Sequence, residues 1–331
     1  MPARVLLLGA GAVGARAARQ LVVADEVDEV LVADPDAKRR AAVLASTGDK
    51  AVDAGAHGTD GPGAVDAVLI ASPNRTHLDA ARTHLGQGRP VVSCADGIDD
   101  VKGLLDLGPE AEARGVPVVV GAGFSPGLTC VLARHAARRF EVVDEIHVAR
   151  SGTGGPACAR AHHRALAGTS LDWRDGGWQR RPAGSGRELC WFPDPVGGQD
   201  CYRAELPDAL LLVGPFPGID RVTARLSATR RDRITAHLPM LRKPHAEGLV
   251  GAARVEVRGR RHGVPDVAVL GVLDRPAVAS GAVAALALRW ALTGKLPVGA
   301  HGLATVEETV GFLGELAHVG VKAAVFDGAN L

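Results

Sequence analysis

Gly9, Gly11 and Gly14 stand in the run Gly9-Ala10-Gly11-Ala12-Val13-Gly14, a GxGxxG spacing in which each glycine has a separate physical reason. The first permits a tight turn, the second lets the backbone approach a pyrophosphate, and the third lets a helix pack close against a strand. Amides at the start of the following helix then face an anion. Asp34 lies about 20 residues further on, where an acidic side chain can accept hydrogen bonds from adenosine ribose hydroxyls. Together these residues predict a nicotinamide dinucleotide held by Gly9, Gly11, Ala12, Val13, Gly14 and Asp34. The Asp34 carboxylate repels a 2′-phosphate and so favours NAD. Lys38, Arg39 and Arg40 follow closely and could neutralise that phosphate, which keeps NADP as a second possibility.

The elements that must position this turn are legible around it. Arg4 to Leu8 is a short apolar run of the kind that forms a strand buried on both faces, and Ala15 to Val22 continues as an alanine-rich helix. Further strands are expected at 29–33, 65–71, 91–93 and 116–121, with helices over 75–85 and 100–113. Alternating strands and helices of this kind give a doubly wound parallel sheet, a Rossmann α/β domain with its ligand at the carboxyl ends of the strands. Three segments reach that edge: Ser72-Pro73-Asn74, Cys94-Ala95-Asp96 and Gly121-Ala122-Gly123-Phe124. Ser72, Pro73, Asn74, Cys94, Ala95, Gly123 and Phe124 are therefore expected at the cofactor, with Phe124 also a candidate to touch the substrate and a domain-crossing core position as its structural alternative. Asp96 is a candidate for moving a proton, with capping of the next helix as its structural alternative.

Two of these segments resemble known dehydrogenase families. Ala71-Ser-Pro-Asn-Arg-Thr-His-Leu, followed by Gly88-Arg-Pro-Val-Val, resembles the sugar dehydrogenases related to glucose-fructose oxidoreductase. That resemblance implies a Glu-Lys-Pro at the end of the next strand, with a catalytic lysine. Here Cys94-Ala95-Asp96 stands instead, so the lysine is missing, which counts against a sugar oxidation by the usual mechanism. Gly121-Ala-Gly-Phe-Ser-Pro-Gly-Leu-Thr-Cys-Val-Leu-Ala resembles the saccharopine dehydrogenase-like family, as does the tail from Gly294-Lys-Leu-Pro-Val-Gly-Ala-His through Gly320-Val-Lys. This second resemblance implies hydride transfer between NAD(P) and a carbon bearing nitrogen.

Beyond Glu141 the parallel winding stops. Segments 142–149, 221–227, 254–259 and 267–273 read as strands, the last two joined through Arg260-Arg-His-Gly263, a hairpin signal. An α+β domain with a largely antiparallel sheet is expected, and Pro276 then opens a long apolar helix through Trp290. The expected organisation is a Rossmann domain over 1–125, a substrate or dimerisation domain over 126–275, and a segment over 276–331 that returns to the Rossmann domain. His162 and His163, beyond the Gly152–Gly155 stretch, are the other candidates for proton exchange. Adjacent on a helix, they point apart and cannot share one metal, and no metal site is expected. Arg150, at a strand end, has the guanidinium geometry to clamp a substrate carboxylate, with a surface salt bridge as the alternative. Trp173, Trp178, Trp191, Phe192 and Tyr202 cluster in a chain with 3% aromatics, as a local core, an interface or a pocket lining.

Composition narrows the field. The 331 residues include 38 basic and 37 acidic side chains, which gives no electrostatic footprint for nucleic acid or an anionic membrane. Five cysteines form no CxxC pair, which points to reduced thiols and a cytoplasmic location rather than a disulfide framework. A small-molecule substrate and a homodimer are expected. The function these features imply is an NAD(P)-dependent oxidoreductase acting at an amine or imine carbon of an amino-acid-like substrate. Its alternatives are a sugar or hydroxy-acid dehydrogenase and a dinucleotide-binding protein without chemistry.

Overall fold

A computed structural model of the chain describes residues 2–58, 64–240, 243–321 and 323–326, the last four through their backbone. Contacts divide the chain into two units, residues 1–123 with 277–303, and residues 124–276 with 304–331.

In the first unit, β1 (Ala3–Leu8) buries Val5, Leu6 and Leu7, as a central strand covered on both faces must. It is followed by α1 (Ala12–Leu21), β2 (Val27–Ala33), α2 (Ala37–Ala45), β3 (Ala51–Asp53), β4 (Ala67–Ile70) and α3 (His77–Leu85). Then come β5 (Val91–Ser93), α4 (Ile98–Leu105), α5 (Gly108–Arg114) and β6 (Pro117–Val120). The single helix expected over 100–113 is thus two, because Pro109 cannot donate to a continuing helix and instead starts α5.

The second unit opens with α6 (Leu128–Ala137), β7 (Val142–Ser151), α7 (Pro156–Ala165), β8 (Thr169–Arg174) and β9 (Gly177–Pro182). It continues through β10 (Glu188–Trp191), β11 (Gly198–Arg203), α8 (Asp208–Leu212), β12 (Arg221–Ser227) and α9 (Arg230–Thr235). The hairpin of β13 (Gly251–Arg261) and β14 (Val264–Asp274) turns on His262 and Gly263, both at positive φ, 52° and 74°, the geometry of a two-residue hairpin loop. After it come α10 (Pro276–Leu292), β15 (Gly299–His301), α11 (Thr309–His318) and β16 (Ala323–Phe326).

The first sheet is parallel, in the order β15-β6-β5-β4-β1-β2-β3. The chain winds outward in opposite directions from β1 and β4, so the switch point of the sheet lies at their carboxyl ends. α10 closes this unit by packing on α1. A Cβ on Gly281 would sit 2.6 Å from the Arg16 Cβ and 2.7 Å from the Val13 carbonyl oxygen, so only glycine permits that approach. Arg289 of α10 clasps Glu26 through two 2.9 Å hydrogen bonds.

The second sheet runs β10-β11-β12-β7-β13-β14-β16, with the β8–β9 hairpin attached to β12. It is mixed rather than wholly antiparallel, because β12 pairs with β7 in parallel. α6, with seven buried residues, packs on its β13 and β14 region.

The tail behaves differently from the expectation for 276–331. α10 and β15 join the first unit, whereas α11 and β16 join the second. α11 buries Phe312 and Leu316, its Thr309 hydroxyl meets His135 Nδ1 at 3.0 Å, and β16 pairs with β14. Lys322 of the tail motif lies outside the described residues.

Candidate functional site

The glycine turn has the three separate geometries that its spacing predicts. Gly9 has φ 106°, and a Cβ there would lie 2.6 Å from the Ala71 carbonyl oxygen, where the β1 and β4 ends meet. A Cβ on Gly14 would lie 1.8 Å from the Gly9 carbonyl oxygen, so α1 and the turn touch through bare backbone. At Gly11 nothing comes within 4 Å. The first and third glycines make room for the chain itself, and the second leaves an open cradle at the N-terminus of α1. That cradle fits a pyrophosphate, because the first amides of a helix lack intrahelical partners.

Asp34, 6% exposed at the end of β2, accepts the Ala10 N–H on Oδ2 and the Asp36 N–H on Oδ1, each at 2.8 Å. It therefore fixes the glycine turn, a second role that the sequence does not disclose. Each oxygen keeps a lone pair with which to accept a ribose hydroxyl. Two of the three neighbouring cations are paired. Arg40 donates to the Asp34 carbonyl oxygen at 2.5 Å and to Asp53 at 2.7 Å, while Arg39 pairs with Asp36 at 3.4 Å.

The β4 and β5 ends are tied together by a buried network centred on His77. Its Nε2 donates to the Ser72 carbonyl oxygen at 2.8 Å, which leaves Nδ1 to accept the Ser93 hydroxyl at 2.8 Å. The Ser93 oxygen in turn accepts the Ala95 N–H at 3.1 Å. Burial lowers the pKa of His77 and keeps the ring neutral, as this donor and acceptor pattern requires. Asn74 Nδ2 donates to Asp96 Oδ1 at 2.8 Å, and the Asp96 N–H reaches Asn74 Oδ1 at 3.4 Å. Asp96 is thus held toward the β4 loop, and the N-cap position of α4 is Gly97. Asp100 supports the same loop by accepting the Arg75 N–H at 2.5 Å. The Cys94 thiol, pushed up to about 12 by burial, stays neutral and faces the Ala122 carbonyl oxygen at 3.6 Å. His77, Ser93 and Asp100 are absent from the sequence-based candidates. The only signal for His77 is its place at the start of α3, where its side chain turns in toward the sheet.

In the second unit, Phe124 is buried, and its carbonyl oxygen accepts the Thr129 N–H at 3.4 Å. Arg150 is 3% exposed, so the surface salt bridge is not what the structure shows. Its Nη1 donates to the Ser125 carbonyl oxygen, its Nε has no partner, and it forms no ion pair among the described residues. Ser125 in turn donates to Asp208 at 2.8 Å. His162 is buried, with Nε2 3.4 Å from Cys158 Sγ, whereas His163 Nε2 donates to the carbonyl oxygens of Thr235 and Leu238 at 2.9 and 3.2 Å. The aromatics separate into distinct places. Trp173 and Trp178 meet edge to face at 5.0 Å, Phe192 packs with Cys190 and Cys201, Tyr202 lies under Arg233, and Trp191 is exposed.

Residues 3–94 match the family described as oxidoreductase family, NAD-binding Rossmann fold. The matched segment runs from β1 through β5 of the first unit, and what it matches is an NAD-binding Rossmann domain. Saccharopine dehydrogenase (L-Glu forming) from Saccharomyces cerevisiae, in its apo form, has the same fold, with a TM-score of 0.70 at 16% identity over 98% of this chain and 100% of that one. DAP dehydrogenase from C. glutamicum in complex with DAP gives a TM-score of 0.52 at 14% identity over 92% and 93% of the two chains. A myo-inositol dehydrogenase from Corynebacterium glutamicum gives 0.51 at 13% identity over 99% and 100%. At these identities the likeness is one of fold.

Proposed function

We propose that the chain is an NAD(P)-dependent dehydrogenase that moves hydride at a C–N centre of an amino-acid-like substrate, interconverting an amine and an imine. Gly11, with Ala12 and Val13 behind it, would hold the pyrophosphate, Asp34 the ribose, and the loops at Ser72–Asn74, Cys94–Ala95 and Gly123–Phe124 the nicotinamide end. The cofactor supplies the hydride acceptor or donor when bound. Asp96 takes the proton from the substrate nitrogen in the oxidative direction and returns it in the other. Asn74 sets the orientation of that carboxylate. His162 is the second candidate for the proton, and His163, bonded to two backbone carbonyls, serves better as a structural clamp.

The observation that carries the substrate class is Arg150. A guanidinium 3% exposed and without a carboxylate partner among the described residues is costly unless a ligand supplies the counter-charge. An amino-acid carboxylate would do so. Purified protein with NAD should form reduced cofactor with a member of an amino-acid and polyamine panel and not with polyols. Activity on polyols alone would favour the second reading, a sugar or hydroxy-acid dehydrogenase, which the family match over residues 3–94 supports.

The proposal includes a cytoplasmic homodimer. The exposed Leu189 and Trp191 of β10 support the dimer, which light scattering would test.

A further inference from the structure

α7 carries two chemically different faces. Cys158 and His162 lie on one side, and Arg160, His163 and Arg164, spaced i, i+3 and i+4, lie on the other. On that second side His163 holds the carbonyl oxygens of Thr235 and Leu238, which fixes the chain after α9 against the helix. The two segments border a half-open cavity of about 640 Å³, within the size range of small-molecule sites. Its lining is cationic at Arg160, Arg164 and Lys243 and apolar at Leu238, Pro239 and Met240. Among the described residues, no aspartate or glutamate lines it.

Some exposed arginines elsewhere in the unit have carboxylates beside them, as in Arg174–Asp175, Arg187–Asp200, Arg258–Glu256 and Arg260–Asp144. Arg160, Arg164 and Lys243 have no ion pair among the described residues. Like charges one turn apart oppose helix formation, and the negative end of the α7 dipole relieves this at Arg164 more than at Arg160. Two guanidinium forks facing one cavity are suited to oxyanions.

We propose that this cavity is a binding site for a small ligand that carries a phosphate or carboxylate group on an apolar body. The oxyanion lies against Arg160 and Arg164, with Lys243 adding charge, and the apolar body rests on Leu238, Pro239 and Met240. The inference does not depend on the dehydrogenase reading, because every residue in it belongs to the second unit.

Isothermal titration of the full chain with phenyl phosphate, benzoate and inorganic phosphate, at constant ionic strength and with NADH present, tests it. Saturable binding is expected for phenyl phosphate or benzoate, and which of the two binds tighter assigns the anion as phosphate or carboxylate. Inorganic phosphate should bind more weakly than phenyl phosphate, since it cannot use the apolar lining. The double variant Arg160→Gln, Arg164→Gln should weaken the organic ligand at least tenfold while melting as the parent does. If the double variant fails to fold, Lys243→Gln and Arg160→Gln singly should each weaken binding. Absence of saturable binding by all three probes, or binding that survives these substitutions unchanged, overturns the proposal.

Discussion

Replacing Gly11 and Gly14 separately by alanine should uncouple cofactor binding from folding. Gly11 sits at φ −73° and ψ −170°, a conformation open to alanine, and its new methyl group would meet nothing within 4 Å. The lower entropy of the unfolded chain favours the variant by about 0.4–1 kcal/mol, and a poorer N-cap residue offsets a similar amount. The net stability change should therefore stay within about 1 kcal/mol. The methyl would occupy the cradle in which a pyrophosphate oxygen approaches the backbone. Loss of one hydrogen bond to a charged group costs about 1.5–3 kcal/mol, or roughly 10- to 150-fold in Kd. At Gly14 the Cβ would lie 1.8 Å from the Gly9 carbonyl oxygen, and α1 must move by more than an ångström to relieve it. That variant should lose about 1–3 kcal/mol or more of stability. NADH titration by fluorescence, together with thermal melting of the apo protein, reads both quantities. A Gly11→Ala variant that binds NADH as the parent does would refute the assignment of the cradle, and so would one as destabilised as Gly14→Ala.

Other consequences can be checked on the same protein. Asp96→Asn should lower kcat by about 10²-fold or more with NADH affinity unchanged, measured by steady-state kinetics once a substrate is in hand. Arg40 and Arg39 are held by Asp53 and Asp36, so NADH should bind at least about tenfold more tightly than NADPH, a difference near 1.4 kcal/mol. Burial holds His77 below the ordinary 6.5, and burial with Arg89 nearby brings His84 to about 4. Unfolding therefore takes up protons, and urea midpoints should be steady above pH 6.5 and fall as the pH drops toward 4. Glu26, held below 4.5 chiefly by its hydrogen bond to Arg289, adds to the loss at the acid end. His84→Gln should flatten the upper part of that decline, and an unchanged profile would remove His84 from it.

The first unit was legible because its signals are local. Each buried strand is a short apolar run ended by glycine or a polar turn, and Gly9, Gly11, Gly14 and Asp34 follow one another in the order their roles demand. What the sequence hid is non-local. Asp34 as the anchor of Ala10, and His77 as the link between Ser72 and Ser93, depend on which loops the sheet brings together, and neither leaves a periodic trace. β9, Gly-Trp-Gln-Arg-Arg-Pro, is mostly exposed and shows no apolar alternation, so neither it nor its partner β8 could be read as a strand. The tail misled for a related reason. α10 is apolar on every side and suits a buried position, but nothing in α11 says that its Phe312 and Leu316 belong against α6 rather than the parallel sheet.

The central claim is hydride transfer at a carbon bearing nitrogen, with Arg150 meeting the substrate carboxylate. Spectrophotometric detection of reduced nicotinamide with NAD and an amino-acid panel, run in parallel on the parent and Arg150→Gln, tests it most directly. The parent should turn over a carboxylate-bearing amine, and the variant should show a KM raised by about tenfold or more, the worth of one charged hydrogen bond. Turnover confined to polyols, or an unchanged KM in the variant, would contradict the account.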